Sequence, residues 1–348
     1  MHRQIALLEN DSQLHLFPFT LTRSVADLRI GLFTIREKWA LALGRPVEVM
    51  TAAQGPKANL PAIPANLVPT DPLPDGAGIP DSWLAQQPRL ERPWQMPRLN
   101  REAIEHDIAL VRSTRTSVTL PSHVRVINPE QVFVEAGARI EHCILNASEG
   151  PIYIGREALV MDGAMIRGPV AVCEGAVVKM GAMVYGATTI GPYSVVGGEV
   201  KNSILMGFCN KAHEGYLGDA VIGEWCNLGA GTSCSNLKNS ARPVEVWNAH
   251  LQAWESAGPK CGLIMGDFSR SAINTAFNTG TVTGVCCNIF GDGTLTPKYI
   301  PSFSWGTHTG QRYELTRVME DIRTWMGFKN RELDPNMEQL IQKIHSLQ

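Results

Sequence analysis

The 348 residues carry 31 Lys and Arg against 33 Asp and Glu, a formal net charge of −2, so no basic surface is offered to nucleic acid or anionic lipid. The length accommodates two domains with a proper core. The eight cysteines include only one close pair, Cys286 and Cys287, which argues for free packed thiols in a reducing cytoplasm and against a redox pair or zinc ribbon.

The opening apolar run, residues 5–8, is too short for a signal peptide, and nothing approaches a membrane span. A cytoplasmic protein without a membrane partner is expected. That run reads as a buried strand, followed by a polar loop. Ser24 is a plausible N-cap for a helix over residues 25–43, with Val25, Leu28, Leu32, Ile35 and Trp39 at helical spacing and Gly44-Arg-Pro46 as the stop. Residues 46–50 read as a second strand, so the chain opens as an α/β layer. Residues 54–97 are proline-rich, with a possible strand at 65–68 and a short helix at 81–86. Residues 100–111 have a helical pattern and would connect the domains. Thr22, Arg23, Arg29 and Lys38 lie around the expected helix start, where cations and free N–H groups can hold phosphate. The alternative is that Arg29 and Lys38 form its solvated face. No G-x-G-x-x-G or Walker motif is present. Glu9, Asp11, Asp27 and Asp71 are possible Mg²⁺ ligands, and nothing in the sequence chooses among them.

From residue 152 to 236 the chain keeps a period of six. Apolar residues fall at Ile154, Val160, Ile166, Val172, Val178, Val184, Ile190 and Val196. After a slip of two, the register continues at Ile204, Asn210, Tyr216, Ile222 and Leu228. Small residues such as Ala158, Ala164, Ala176 and Ala182 stand two places earlier. A period of six fits neither helix nor plain strand but matches a β-solenoid of hexapeptides, each a short strand and a turn. Val134 and Ile140 share the phase, so coiling begins near Val124 and continues to about residue 290. Two excursions interrupt it, at 146–151 and at 237–260, where Trp247 and Trp254 would cover a face. Asn210 and Asn288, read as inward, would need stacked amides or backbone groups as partners. Helices at 311–326 and 336–347 would cap the solenoid end. The expected division is 1–112, 113–310 and 311–348.

The richest chemistry lies in Glu199-Val-Lys201 and Lys211-Ala-His-Glu-Gly-Tyr-Leu-Gly-Asp219, followed by Asn227 and Asn236. At roughly 18 residues per coil these positions stack on neighbouring coils and can form one cleft. A histidine among Lys, Tyr and Asn suits a nucleophile that must lose a proton. Lys201 would meet a phosphate, and Tyr216 and Asn227 sugar hydroxyls. Taken alone, His213 would read as a hydrogen-bonded surface histidine.

Residues 17–31, Phe-Pro-Phe-Thr-Leu-Thr-Arg-Ser-Val-Ala-Asp-Leu-Arg-Ile-Gly, resemble the signature of GlmU-like sugar nucleotidyltransferases of Bacteroidetes-type bacteria. So do Gly150-Pro-Ile-Tyr-Ile-Gly155, Ile222-Gly-Glu-Trp-Cys-Asn-Leu-Gly-Ala230 and Pro301-Ser-Phe-Ser-Trp-Gly306. Tyr216-Leu-Gly-Asp219 with Asn227-Leu-Gly-Ala-Gly-Thr232 is similar to the acetyltransferase half of that family. The resemblance implies a nucleotidyltransferase-like α/β domain, then a left-handed parallel β-helix and C-terminal helices, assembled as a homotrimer. It also implies acetyl-CoA-dependent N-acetylation of glucosamine-1-phosphate or a related amino-sugar phosphate. Nucleotidyl transfer from UTP or another nucleoside triphosphate with Mg²⁺ would then give a nucleotide sugar of the UDP-N-acetylglucosamine type. His213 is then the general base, Glu199, Lys201, Tyr216 and Asn227 hold the sugar phosphate, and Asn236 lies near the reacting groups. Thr22, Arg23, Arg29 and Lys38 would serve the nucleotide. Activity in one half alone, or a non-enzymatic sugar-nucleotide sensor, are the alternatives. A β-helix carbonic anhydrase needs three zinc-binding histidines, and the coils supply only His213 at a suitable position.

Overall fold

The first strand, Ala6–Leu8, is the centre of a three-stranded parallel sheet, flanked by Glu48–Met50 and Ala62–Pro64. The structure, a computed structural model, describes residues 5–51, 54, 61–74, 78–291, 295–307 and 311–347. The expected strand at 65–68 is absent, because the ladder ends where the Ala65 N–H meets the Leu8 carbonyl and a turn follows. Parts of the proline-rich segment, 52–53, 55–60 and 75–77, lie outside the described residues.

The helix expected at 25–43 is only half as long. Ser24 caps a 3₁₀ turn, Val25–Asp27, a hairpin of Arg29–Ile30 with Phe33–Thr34 follows, and the helix runs Ile35–Leu43. Its true N-cap is Thr34, which forms a capping box with Glu37. The hairpin wins because distant side chains take its backbone donors. Asn100 accepts from the Gly31 N–H at 2.6 Å and Asp107 from the Leu32 N–H at 2.8 Å. Gly31 sits at φ +76, a dihedral a helix cannot use. The apolar residues that suggested one long helix are all buried nonetheless. A short helix, Asp81–Gln86, forms where expected, and the connecting helix extends to Met96–Thr114.

From Arg125 to Ile300 the chain coils into three parallel sheets of nine, eight and six strands, ten residues beyond the end read from the period. Val134, Ile154, Val172 and Ile190 point inward in one ladder, and Val160, Val178 and Val196 in the next. After Val196 the inward residues are Leu205, Lys211 and Leu217, not Ile204, Asn210 and Tyr216. The coil shortens there, Val196 pairing with Lys211, so the register slips by one more residue than the pattern suggested. Asn210 consequently faces outward, half-buried, as does Asn288 beyond the second excursion, where Met265 and Ile289 continue the inward columns, and neither needs internal partners. One corner is built from residues at positive φ: Glu157, Gly175, Tyr193, Phe208, Trp225, Phe268, Cys286 and Phe303. Side chains rarely adopt this conformation; here stacking offsets part of its cost, with Tyr193 on Phe208 at 5.2 Å and Phe208 on Trp225 at 4.2 Å.

The N-terminal unit lies on the outer face of the nine-stranded sheet. Ile204, Met206, Val221, Ile264 and Val282 share a core with Leu7, Phe19, Ile30 and Trp39. Farther along, Leu32, Ile104, Ile108 and Val111 pack on Phe133, Tyr153 and Ala171. Asn100 also donates to the Ala187 carbonyl at 2.7 Å. The second excursion is a hairpin, Glu245–Asn248 with Ala253–Ser256, that pairs Trp247 with Trp254. Glu255 on it accepts two 2.9 Å bonds from Arg92. The C-terminal helices, Leu315–Gly327 and Pro335–Ser346, do not cap an end. They pack along the corner at Phe268, Cys286 and Phe303. All eight cysteines are free and buried. Among the described residues no helix is long and apolar enough to cross a membrane.

Lys38 and Asp107 are both fully buried and paired. Burial lowers the Lys38 pKa despite the carboxylate beside it. Removing one partner strands the other charge, so Asp107→Ala is expected to lose about 3–5 kcal/mol of stability in urea unfolding. The double variant Lys38→Met, Asp107→Leu should recover most of that loss.

Candidate active site

The six-stranded sheet turns alternate side chains outward. Its inward residues Val184, Val200 and Leu217 are fully buried, so Tyr185, Glu199, Lys201 and Tyr216 are presented on the outer face. Register places Tyr185 beside Lys201 and Glu199 beside Tyr216. The Tyr185 hydroxyl donates to Glu199, and the Lys201 ammonium stands 5.3 Å from the Tyr185 ring. Asn236 donates to the Tyr216 hydroxyl at 3.1 Å and to Asp219. Asn202 donates to the other Asp219 oxygen at 2.7 Å. The Tyr185 hydroxyl is pushed up to about 12, chiefly by its bond to Glu199. That of Tyr216 is raised by burial and then by Asp219. Both phenols therefore stay protonated at neutral pH; the Tyr185 proton is engaged by Glu199, and Tyr216, which accepts from Asn236, keeps its own for a ligand.

His213 occupies the corner between the Asn210–Lys211 strand and the Tyr216–Gly218 strand, with an exposed ring. Among the described residues the ring has no hydrogen-bond partner. Gly215, at φ +116, lets the corner pass beneath the Thr232 carbonyl, where a Cβ would sit at 2.1 Å. Asn227 is not on this face. It lies on the eight-stranded sheet, in register with Asn210 and Arg270.

One chain thus groups Glu199, Lys201, Tyr216 and Asn236, sets His213 at the adjoining corner and leaves Asn227 around it. Tyr185, Asn202 and Asp219 are the additions sequence reasoning missed. Tyr185 lay out of its reach, since one full coil back from Lys201 along the period arrives at Met183, and only the shortened coil sets Tyr185 beside Lys201. Met183 also faces outward, beside Glu199, and supplies no charge.

The four N-terminal candidates are engaged within the chain. Thr22 donates to Asp267 at 2.6 Å. Arg23 pairs with Asp267 and, at 3.0 Å, with Glu224, and those carboxylates raise its pKa against the cost of burial. Arg29 donates to the Met206 and Leu32 carbonyls, and Lys38 is held by Asp107. Thr22, Arg23 and Arg29 therefore fasten the N-terminal unit to the solenoid, and Lys38 fastens it to itself. An open cleft of ≈410 Å³ lies elsewhere, past the end of the central Ala6–Leu8 strand, lined by Asn10, Asp11, Ser12, His15, Arg89 and Arg92 among others. The end of a central parallel strand is where α/β sheets generally take ligands. Of the possible metal ligands, Asp11 faces this cleft. Glu9 binds Ser24 and Val25, Asp27 pairs with Arg36, and Asp71 accepts from Gln87. Among the described residues no three His, Cys, Asp or Glu side chains are grouped to hold a metal ion.

Residues 5–54 match the family model described as sugar nucleotidyl transferase. A bifunctional protein GlmU of Methanocaldococcus jannaschii is 40% identical over 89 residues, 26% of this chain and 21% of its own length. The bifunctional protein GlmU of Bordetella parapertussis is 33% identical over 203 residues, 48% of this chain and 39% of its own. A hexapeptide transferase family protein of Anaplasma phagocytophilum superposes with a TM-score of 0.16 at 16% identity, over 64% of this chain and 87% of that one, too slight a likeness to bear on the fold. The chain spans well under half the length of these curated relatives. Over these parts of its length the chain is similar in sequence to sugar nucleotidyl transferases and to bifunctional GlmU proteins.

Proposed function

We propose that the solenoid transfers an acetyl group from acetyl-CoA to the amine of an amino-sugar 1-phosphate such as glucosamine-1-phosphate. The observation that carries this reading is the grouping of Glu199, Lys201, Tyr216 and Asn236 on one face beside the free imidazole of His213. Lys201 holds the phosphate as a point charge. Tyr216 and Glu199 bind sugar hydroxyls. His213 takes the proton as the amine nitrogen attacks the thioester carbonyl. The C–N bond forms, the C–S bond breaks, and coenzyme A leaves as the thiol after receiving a proton.

The position of Asn227 on the neighbouring face favours a site completed between copies. The six-stranded sheet exposes Ile144, Met165 and Met183 beside the site, 36%, 44% and 41% accessible, while the nine-stranded face is already covered. Two open faces per prism, one of them apolar, suit a homotrimer whose clefts bring Asn227 of one copy toward Lys201 of the next.

For the N-terminal unit the proposal is nucleotidyl transfer from UTP or another nucleoside triphosphate to the acetylated sugar phosphate. The cleft at Asn10, Arg89 and Arg92 is its place, because Thr22, Arg23, Arg29 and Lys38 already have partners. Asp11 alone does not make a dedicated Mg²⁺ site, and no step is assigned to a metal.

With glucosamine-1-phosphate and acetyl-CoA, His213→Ala should lower kcat by about 10²–10⁴-fold and leave the fold intact. Lys201→Ala should chiefly raise KM for the sugar phosphate. Full activity in His213→Ala would refute the assignment, as would a monomer by light scattering for the shared cleft.

A further inference from the structure

Among the described residues Lys211 is the one lysine that points into the solenoid. It is 2% exposed, it stacks in register on Val196, and no carboxylate among those residues pairs with it. Its ammonium instead donates to two main-chain carbonyls at the corner, Gly197 on one coil at 3.0 Å and His213 on the next. An unpaired ammonium in an apolar core is destabilising unless its hydrogen bonds are made, so the position calls for a reason beyond packing.

The corner itself supplies one. The His213 ring has no partner among the described residues, so only the backbone sets where the imidazole points. That backbone runs from Ala212 to Gly215 over a neighbouring pair, Gly197 and Gly198, whose added Cβ atoms would meet Ala212 and Glu214 at 2.5 and 2.7 Å. The glycines allow the close approach, and the lysine ties the two coils from inside.

We propose that Lys211 is a positioning residue: through the His213 carbonyl it fixes the direction of the base from within the core. The inference rests on the proposed role of His213 and adds how that role is held in place. Burial lowers the lysine to about 8, with Glu214 opposing the shift. As pH rises through that value the ammonium loses one donor and its charge, and its hold on the carbonyls weakens.

The test compares the full-length protein with Lys211→Met and Lys211→Arg, measuring acetyl transfer and amide hydrogen exchange at residues 212–215. Lys211→Met should lose ~10-fold or more in kcat, as expected of a misplaced catalytic group, with KM for the sugar phosphate within about twofold. Exchange at the corner should rise, and a wild-type decline in kcat above about pH 8 should disappear. Lys211→Arg, which keeps charge and donors, should recover part of kcat. Wild-type kcat in Lys211→Met, or unchanged exchange at the corner, overturns the proposal. If the wild type shows no acetyl transfer, the functional reading fails, and exchange still decides whether Lys211 holds the corner. Should Lys211→Met not fold, wild-type exchange at 212–215 decides: an excess rise above pH 8 supports the fastening, and none overturns it.

Discussion

The outer face of the nine-stranded sheet is buried against the N-terminal unit, and the placement of everything else follows from that contact. Parallel sheets are most stable when both faces are covered, and here the inner face fills the coil core while Ile204, Met206, Val221 and Ile264 are covered from outside. A prism has three faces. With one occupied by the chain itself and one corner lined by the C-terminal helices, the six- and eight-stranded faces are left open. The charges near the chain's start, which at first suggest a phosphate cradle, belong to this same contact. Arg23 and Thr22 converge on Asp267 of a distant coil, and Asn100 threads between Gly31 and the Ala187 carbonyl.

The repeat was legible because a narrow core tolerates little variation. Each inward position must hold one medium apolar side chain, and the period shows through even where Thr188 or Lys211 breaks the composition. What sequence could not show was how coil length varies. The shortened coil at 196–211 moved Leu205 and Leu217 inward and turned Asn210 and Tyr216 out, because a register slip of one residue exchanges the two faces of a strand. The first helix was overextended for a different reason. Its apolar spacing is real, but Asn100 and Asp107, some seventy residues away, claim the backbone of residues 31 and 32, and local pattern carries no trace of distant partners.

The site was partly legible in the same sense. Glu199 and Lys201 share one strand and Tyr216 stands on the next, as coil stacking requires, although the period alone turned Tyr216 inward. Asn227 lies two strands past Tyr216, on the eight-stranded sheet, so it falls around a corner. In the proposed homotrimer a second copy would bring such a residue back, a relation that spacing along one chain does not carry. The burial of Lys211 was hidden by the same slip.

The excursion at 237–260 leaves and re-enters the solenoid at nearly one point, since the Cys261 N–H bonds to the Asn236 carbonyl at 3.0 Å. Strands on either side, such as Leu228 and Ser271, still pair as though they were adjacent coils. The ladder is therefore indifferent to how much chain passes through this junction, and loop length weighs only slowly on closure entropy. A lineage carrying such a solenoid can lengthen, exchange or discard the hairpin without re-registering a single strand. Because the junction begins at Asn236, each new insertion would also meet the rim of the cleft, making this corner a natural place for relatives to diverge in what they accept.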